Sequence, residues 1–166
     1  MGLRVEPLGR RHRTLLKGFQ NQHASLVEYL QRDALRHLEK DLLARTYVAI
    51  DEGQEGLRLA GYFSLSTVSV ERGAGFPIPG VLLARLAVDQ RVQGQGLGRF
   101  LFEEALGLTL QLAQSGPVAF RLFFTDATEE QAACFYEQFG FTRLADEYPC
   151  RMVLDLLPLL TTANTT

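Results

Sequence analysis

Leu86-Ala87-Val88-Asp89-Gln90-Arg91-Val92-Gln93-Gly94-Gln95-Gly96-Leu97-Gly98-Arg99 is the stretch on which the reading of this chain turns. It closes the nearly unbroken apolar run Val81 to Val88, whose character is that of a strand covered on both faces. Three alternate glycines follow, and then apolar positions Leu101, Phe102, Ala105, Leu108 and Leu112 at helical spacing. Glycine lets a chain turn tightly and approach a ligand closely. The first N–H groups of a helix lack intrahelical partners and carry the positive end of its dipole, so a strand, a glycine turn and a helix start make a site for phosphate. The pattern is not a P-loop, because no Gly-Lys-Ser/Thr ends it. The dinucleotide fingerprint wants Gly-x-Gly-x-x-Gly, whereas this segment has Gly94-x-Gly96-x-Gly98. A glycine-rich turn without any ligand stays open at this point.

Downstream, Ser115-Gly116-Pro117 stops the helix, and Val118 to Phe124 reads as another strand. Thr128-Glu129-Glu130-Gln131 has the form of a capping box opening a helix that ends at Gly140. Phe141 to Leu144 and Arg151 to Leu156 supply the last strands, and the small polar tail Thr161 to Thr166 is expected to fray. Upstream, Leu3, Val5 and Leu8 alternate. Ser25 to Leu43 places Leu26, Tyr29, Leu30, Leu35, Leu38 and Leu42 at mixed spacings of three, four and five, which predicts one or two amphipathic helices. Tyr47 to Ile50 and Leu59 to Val70 form a hairpin around a turn at residues 51–56. Gly73 to Gly80 is expected to be a long loop, too rich in Gly and Pro for regular structure. The class is mixed α and β around one central sheet.

Size and composition set the frame. A chain of 166 residues, 46% hydrophobic and 22% charged, suits one soluble domain over 1–166. No run approaches the ~20 apolar residues of a membrane span, and the Arg-bearing N-terminus lacks a signal-peptide stretch, so a cytoplasmic, membrane-free protein is expected. Cys134 and Cys150 fit no metal spacing and read as packing residues. His12, His23 and His37 are spaced too irregularly for a ligand pair, so no metal is expected. The net charge of −2 conceals an asymmetry: residues 1–46 hold nine Lys/Arg against five Asp/Glu, and the remainder eight against fourteen. Such a basic front is either a solvated surface or a patch for an anionic partner such as RNA.

Arg91-Val92-Gln93-Gly94-Gln95-Gly96 resembles the Arg/Gln-x-x-Gly-x-Gly/Ala signature with which GNAT (Gcn5-related) acetyltransferases hold the pyrophosphate of coenzyme A. Some 40 residues on, Ala132-Ala133-Cys134-Phe135-Tyr136-Glu137-Gln138-Phe139-Gly140-Phe141 looks like the family's Ala-x-x-Phe-Tyr-x-x-x-Gly-Phe motif. The resemblance covers Tyr47 to Leu156 and extends more loosely over the first 46 residues. It implies an α/β (α+β) fold with a mixed, mostly antiparallel central sheet and helices on both faces. It also implies acetyl-CoA as acyl donor. The pantetheine arm would pair with the backbone of Leu86, Ala87 and Val88, and the pyrophosphate would lie on Arg91, Val92, Gln93, Gly94, Gln95, Gly96, Leu97, Gly98 and Arg99. Tyr136 would protonate the departing thiolate, a reasonable role for a phenol of pKa ~10 facing a thiol of pKa ~8.5. Against the pattern, Val81 to Val88 carries no glutamate to relay the amine proton, and Glu129 stands where the family often has Asn. The general base is therefore unassigned, with water, Glu129 and an amine already neutral all open. Arg85 is the one charge in the strand, expected to pair with a carboxylate or, second, to meet an anionic substrate.

The acceptor implied by the family is an amine that attacks the thioester directly. Ala44 to Ala49, Gly61 to Ser66, Leu83 to Asp89 and Leu26-Val27-Glu28-Tyr29-Leu30 look like segments of GNAT toxins from bacterial toxin-antitoxin pairs, which acetylate the amino group of aminoacyl-tRNA. That resemblance implies aminoacyl-tRNA as substrate and a small antitoxin as partner. Gly18-Phe19-Gln20-Asn21-Gln22 lacks the Cys-Gly common after that Phe, and the acidic overall charge suits RNA poorly. The alternatives are a metabolic or protein N-acetyltransferase acting on a small amine, an α-amino group or a lysine, and a degenerate acyl-CoA-binding module without turnover. Many relatives are dimers, and Leu156-Leu157-Pro158-Leu159-Leu160 is the run that would either cover a homodimer contact or close its own core.

Overall fold

A computed structural model describes residues 2–71 and 73–163. Seven strands hydrogen-bond in the order β1-β2-β3-β4-β5-β7-β6: β1 Gly2–Pro7, β2 Arg45–Gly53, β3 Gly56–Val70, β4 Ile78–Val88, β5 Leu122–Ala127, β6 Thr142–Arg143 and β7 Cys150–Asp155. Pairing is antiparallel for β1 with β2, β2 with β3, β5 with β7 and β6 with β7, and parallel for β4 with β5. The sheet is thus mixed and mostly antiparallel. The chain gathers into two compact units, Met1–Ser66 with Arg85–Ala105, and Thr67–Ala84 with Leu106–Thr166.

In the first unit β2 and β3 form the expected hairpin, tighter than the sequence suggests. Gly53 pairs with Gly56, leaving only Gln54 and Glu55 in the turn. Short helix α1 (Arg13–Leu16) precedes the segment read as amphipathic helix. That segment is α2 (Ala24–Glu28), a π-helical turn Tyr29–Asp33, α3 (Ala34–Arg36) and a second π turn His37–Asp41, ended by Leu42 in the left-handed region at φ 53. The mixed apolar spacing has its cause here. Leu30 and Leu35 are five apart across a π turn, whose bonds run from i to i+5. Tyr29, Leu30 and Ala34 enter a core with Val48, Ile50, Leu59, Tyr62 and Ala87. Tyr62 donates to the carbonyl of Leu26 at 2.6 Å, which ties the helical segment to β3.

In the second unit three expectations need correction. Ile78, Pro79 and Gly80 belong to β4 rather than to the loop before it. A Cβ at Gly80 would lie 2.6 Å from the Phe124 ring and 2.8 Å from the carbonyl of Leu122, so glycine there permits the close parallel pairing of Gly80 with Leu122. β5 begins at Leu122, not at Val118, which is 70% exposed. Helix α5 (Glu130–Glu137) has Glu129 as N-cap with no side-chain bond, so the Thr128 capping box does not form. Helix α4 (Leu97–Ser115) stops where Gly116 and Pro117 indicate. Cross-strand partners Asp126 and Arg151 are joined by bonds of 2.8 and 2.9 Å. The final apolar run opens α6 (Leu157–Ala163). Leu156 is fully buried while Leu157 and Leu159 are exposed, so the run is divided between core and solvent. Of the tail expected to fray, Thr161 to Ala163 is helical and 164–166 lie outside the described residues.

Candidate functional site

The site starts from a buried carboxylate. Asp89, at the end of β4, is 0% exposed and accepts four hydrogen bonds: from Arg91 N (2.9 Å), Arg91 Nε (2.8 Å), Arg91 Nη2 (2.8 Å) and Gln20 N (3.0 Å). Burial alone would push its pKa up. The Arg91 side chain, the N–H groups of Arg91 and Gln20 and the Arg91 charge outweigh that and hold it below the usual value. Asp89 N in turn donates to Ala60 O at 2.8 Å, which fixes the start of the turn on β3. A short 3-10 turn, Gln90–Val92, follows, with Val92 N donating to Asp89 O at 3.0 Å and the Val92 side chain buried.

From this anchor the chain emerges into solvent. Gln93, Gly94, Gln95 and Gly96 are exposed, and Gly94 and Gly96 both have φ +81. Nothing lies within 4 Å of a Cβ built on either, so the backbone angle and not crowding demands glycine there. Gly98 differs: its φ is ordinary and its Cβ position is in van der Waals contact with Val88 at 3.8 Å. Gly96 O accepts the bond from Phe100 N (3.1 Å), so the N–H groups of Gly96, Leu97 and Gly98 lie ahead of that first helical bond. They stand at the positive end of a 19-residue helix. Arg99 is exposed and paired with Glu103 at 2.9 Å.

Two of the expected binding residues are committed elsewhere in part. The Arg91 guanidinium binds Asp89 and also donates to Gly18 O at 2.8 Å, so its side chain braces the turn. The Val88 carbonyl accepts from Asn21 Nδ2 (2.8 Å) and Gln93 Nε2 (3.2 Å). Sequence reading missed this bracing segment. Gln20, Asn21 and Gln22 together bind Asp89, Gln90, Val88 and Gln93. Only Asp89, a residue type that readily accepts from nearby backbone, signalled a fixed turn in the sequence.

Arg85 overturns its expectation. It makes no ion pair with a carboxylate among the described residues; its guanidinium carbon lies 3.6 Å from the centroid of the Tyr29 ring. In the second unit, Tyr136 lies on α5, half-buried, with its ring 5.4 Å from that of Phe135 and 5.7 Å from that of Phe141. Its hydroxyl is hydrogen-bonded with Thr125, a buried residue of β5. Burial pushes the phenol above its usual pKa, more than the Thr125 bond draws it down, so the group holds its proton at neutral pH. Glu129 is exposed at the start of the same helix. Among the described residues no three His, Cys, Asp or Glu side chains gather as a metal site, and no helix is long and apolar enough to cross a membrane.

Known proteins are similar to this chain in sequence and in fold. Over 133 residues the chain is 33% identical to the tRNA-acetylating toxin of Mycobacterium tuberculosis (strain ATCC 25618 / H37Rv), covering 74% of this chain and 75% of that protein. Among solved structures it is similar to the KacTA-DNA complex, with a TM-score of 0.80 and 27% identity over 99% of this chain and 100% of that one. It is similar also to a point mutant of the AtaT toxin bound to the C-terminus of the antitoxin AtaR and acetyl-CoA, at 0.79 and 25% over 99% of each chain. Residues 43–143, which contain the glycine turn and Tyr136, match the acetyltransferase (GNAT) domain, and the chain belongs to the GNAT acetyltransferase family.

Proposed function

We propose that residues 1–166 act as one GNAT domain that moves an acetyl group from acetyl-CoA to the α-amino group of an aminoacyl-tRNA. The observation that carries the donor half is the exposed pair of glycines at φ +81 opening onto the N-terminus of α4. The backbone N–H groups from Gln93 to Arg99 are the partners we assign to the pyrophosphate. A carbonyl has two lone pairs, and that of Val88 already accepts two bonds, so the pantetheine arm falls to the other backbone groups of Leu86, Ala87 and Val88. Arg91, whose backbone N–H and guanidinium both bind Asp89, holds the turn in shape.

In the reaction the neutral amine attacks the thioester carbon, a C–N bond forms, and the C–S bond breaks as the tetrahedral oxyanion collapses. Backbone donors near Leu86 to Val88 would stabilise that oxyanion. The thiolate takes the proton of Tyr136, the amine gives its own to solvent, and the phenolate regains a proton from solvent, which restores the enzyme. A phenol kept protonated by burial suits that role.

The acceptor half is supported by likeness to the tRNA-acetylating toxin and by the basic charge of residues 1–46. Arg13, Lys17, Arg32, Arg36 and Lys40 line a cavity of about 390 Å³ with Glu39 as the one acidic residue among its lining. Clustered cations of this kind pair with nucleic-acid phosphates. Since AtaT is bound to part of its antitoxin, a small antitoxin is the protein partner we assign here too.

The test is transfer of labelled acetyl from acetyl-CoA to a mixture of charged tRNAs, read by mass spectrometry of the nuclease-released aminoacyl-adenosine. N-acetylated aminoacyl ends, absent with uncharged tRNA, are expected. Acetylation of free amines or lysine peptides in their place overturns the acceptor, and no transfer to any amine by protein that binds acetyl-CoA overturns the enzyme reading.

A further inference from the structure

Arg85 stands on β4 one residue before the segment assigned to the pantetheine arm, and it is half-buried. Stacked at 3.6 Å on Tyr29, it forms no ion pair and donates no hydrogen bond among the described residues. A guanidinium holds five N–H donors in one plane. Stacking on an aromatic ring occupies its face and leaves that donor edge free. The edge is a fork that matches two oxygens of one phosphate or carboxylate. Tyr29 beneath it is 4% exposed, and its hydroxyl is a buried polar atom without a partner. Half-buried cations ordinarily have a counter-ion and buried hydroxyls ordinarily have a bond, so two neighbouring groups lacking both point to an occupant that arrives from outside.

We propose that Arg85 is a specificity-determining residue for the acceptor, its N–H edge taking the oxygens of a phosphodiester near the acceptor's 3′ end while Tyr29 holds the guanidinium flat. This rests on the aminoacyl-tRNA reading above. In that acceptor the amino acid's carboxyl is esterified, which leaves phosphate as the anion within reach. A free amino acid would offer its carboxylate to the same fork.

The experiment compares wild type, Arg85→Met and Arg85→Lys on four acceptors: charged tRNA, an aminoacyl-nucleoside amide without phosphate, the same compound with a 5′-phosphate, and free amino acids. Calorimetry with acetyl-CoA checks each variant first, and equal affinity is expected because the fork serves the acceptor. Arg85→Met should lower kcat/KM on charged tRNA about 100-fold, chiefly through KM. It should lower the phosphorylated compound likewise, and the unphosphorylated one by less than about threefold. Arg85→Lys should recover part of the loss. If Arg85→Met does not fold, the same comparison is read from Arg85→Lys. Wild type active only on acceptors that carry phosphate supports the proposal. Equal losses with and without phosphate, no loss on charged tRNA, or Arg85-dependent acetylation of free amino acids overturns it. Wild type that binds acetyl-CoA but acetylates no charged tRNA brings down the function reading itself, a separable failure.

Discussion

Replacing Gly96 by alanine isolates the part of the site that backbone geometry alone supplies. At φ +81 an L-residue is in the left-handed region, and a Cβ there meets no atom within 4 Å. Neighbouring atoms therefore add nothing to the cost, which is the conformational penalty of about 1–2 kcal/mol for that region. Gly98, two residues along in the first turn of α4, has ordinary φ and an uncrowded Cβ position 3.8 Å from Val88. Gly→Ala within a helix gains up to about 1 kcal/mol. The two variants should thus lie on opposite sides of wild type, about 1–3 kcal/mol apart. Urea denaturation without acetyl-CoA measures this, and thermal midpoints should separate at about 2–4 °C per kcal/mol in a chain of this size. Because the folded turn is the binding form, the Gly96 variant should also bind acetyl-CoA up to about tenfold more weakly. Equal midpoints for the two variants, or a less stable Gly98 variant, would refute the division of roles between these glycines.

Tyr136→Phe removes the proposed acid but keeps the ring contacts with Phe135 and Phe141; kcat should fall about 10²–10⁴-fold with acetyl-CoA affinity retained in calorimetry, and undiminished kcat removes the role. Asp89→Asn turns a buried carboxylate with four donors into an amide that cannot satisfy them all, and should cost on the order of 2–3 kcal/mol in urea. Tyr29→Phe removes a buried hydroxyl without a partner, so the variant should be as stable as wild type or more so, by up to about 1 kcal/mol, and a lower melting midpoint shows that the hydroxyl is bonded. Glu130, drawn down from 4.5 to about 2 chiefly by Arg143 and also by Tyr148, has a folded pKa below its unfolded one. Its contribution is therefore complete above pH 4.5 and is lost as pH falls toward 2. Glu130→Gln should flatten acid denaturation in that window, and an unchanged acid limb contradicts the assignment.

What could be read in advance follows from the range of the interactions. The glycine turn, α4 and its stop at Gly116 are local, written in adjacent residues, and they stand where the sequence puts them. The start of β5 is not legible in the mostly apolar run Val118 to Phe124, because it is set by Arg121 N reaching Pro79 O and Leu156 N reaching Arg121 O, bonds to distant segments. Thr128 satisfies a capping pattern in sequence, yet Glu129 occupies the cap. The five-residue gap from Leu30 to Leu35 was visible, but a spacing alone does not distinguish a helix break from a π turn. Arg85 was assigned a carboxylate on charge, and an aromatic face reached by that same π turn holds it instead.

The glycine turn proposed to bind the acyl donor is exposed, but the residues at its base are braced. Asp89 takes four bonds, Arg91 adds one to Gly18, and the amides of Asn21 and Gln93 close on Val88. An exposed loop that had to order on binding would lose roughly 1–2 kcal/mol per residue in backbone entropy. Here much of that loss is already incurred on folding, so backbone donors would face the pyrophosphate proposed for this turn with little further cost. The bracing residues, Gln20 to Gln22, come from some seventy residues upstream, outside the matched stretch 43–143. It follows that trimming the first 46 residues should damage donor binding as well as any contact with RNA, although the glycine signature itself would remain intact.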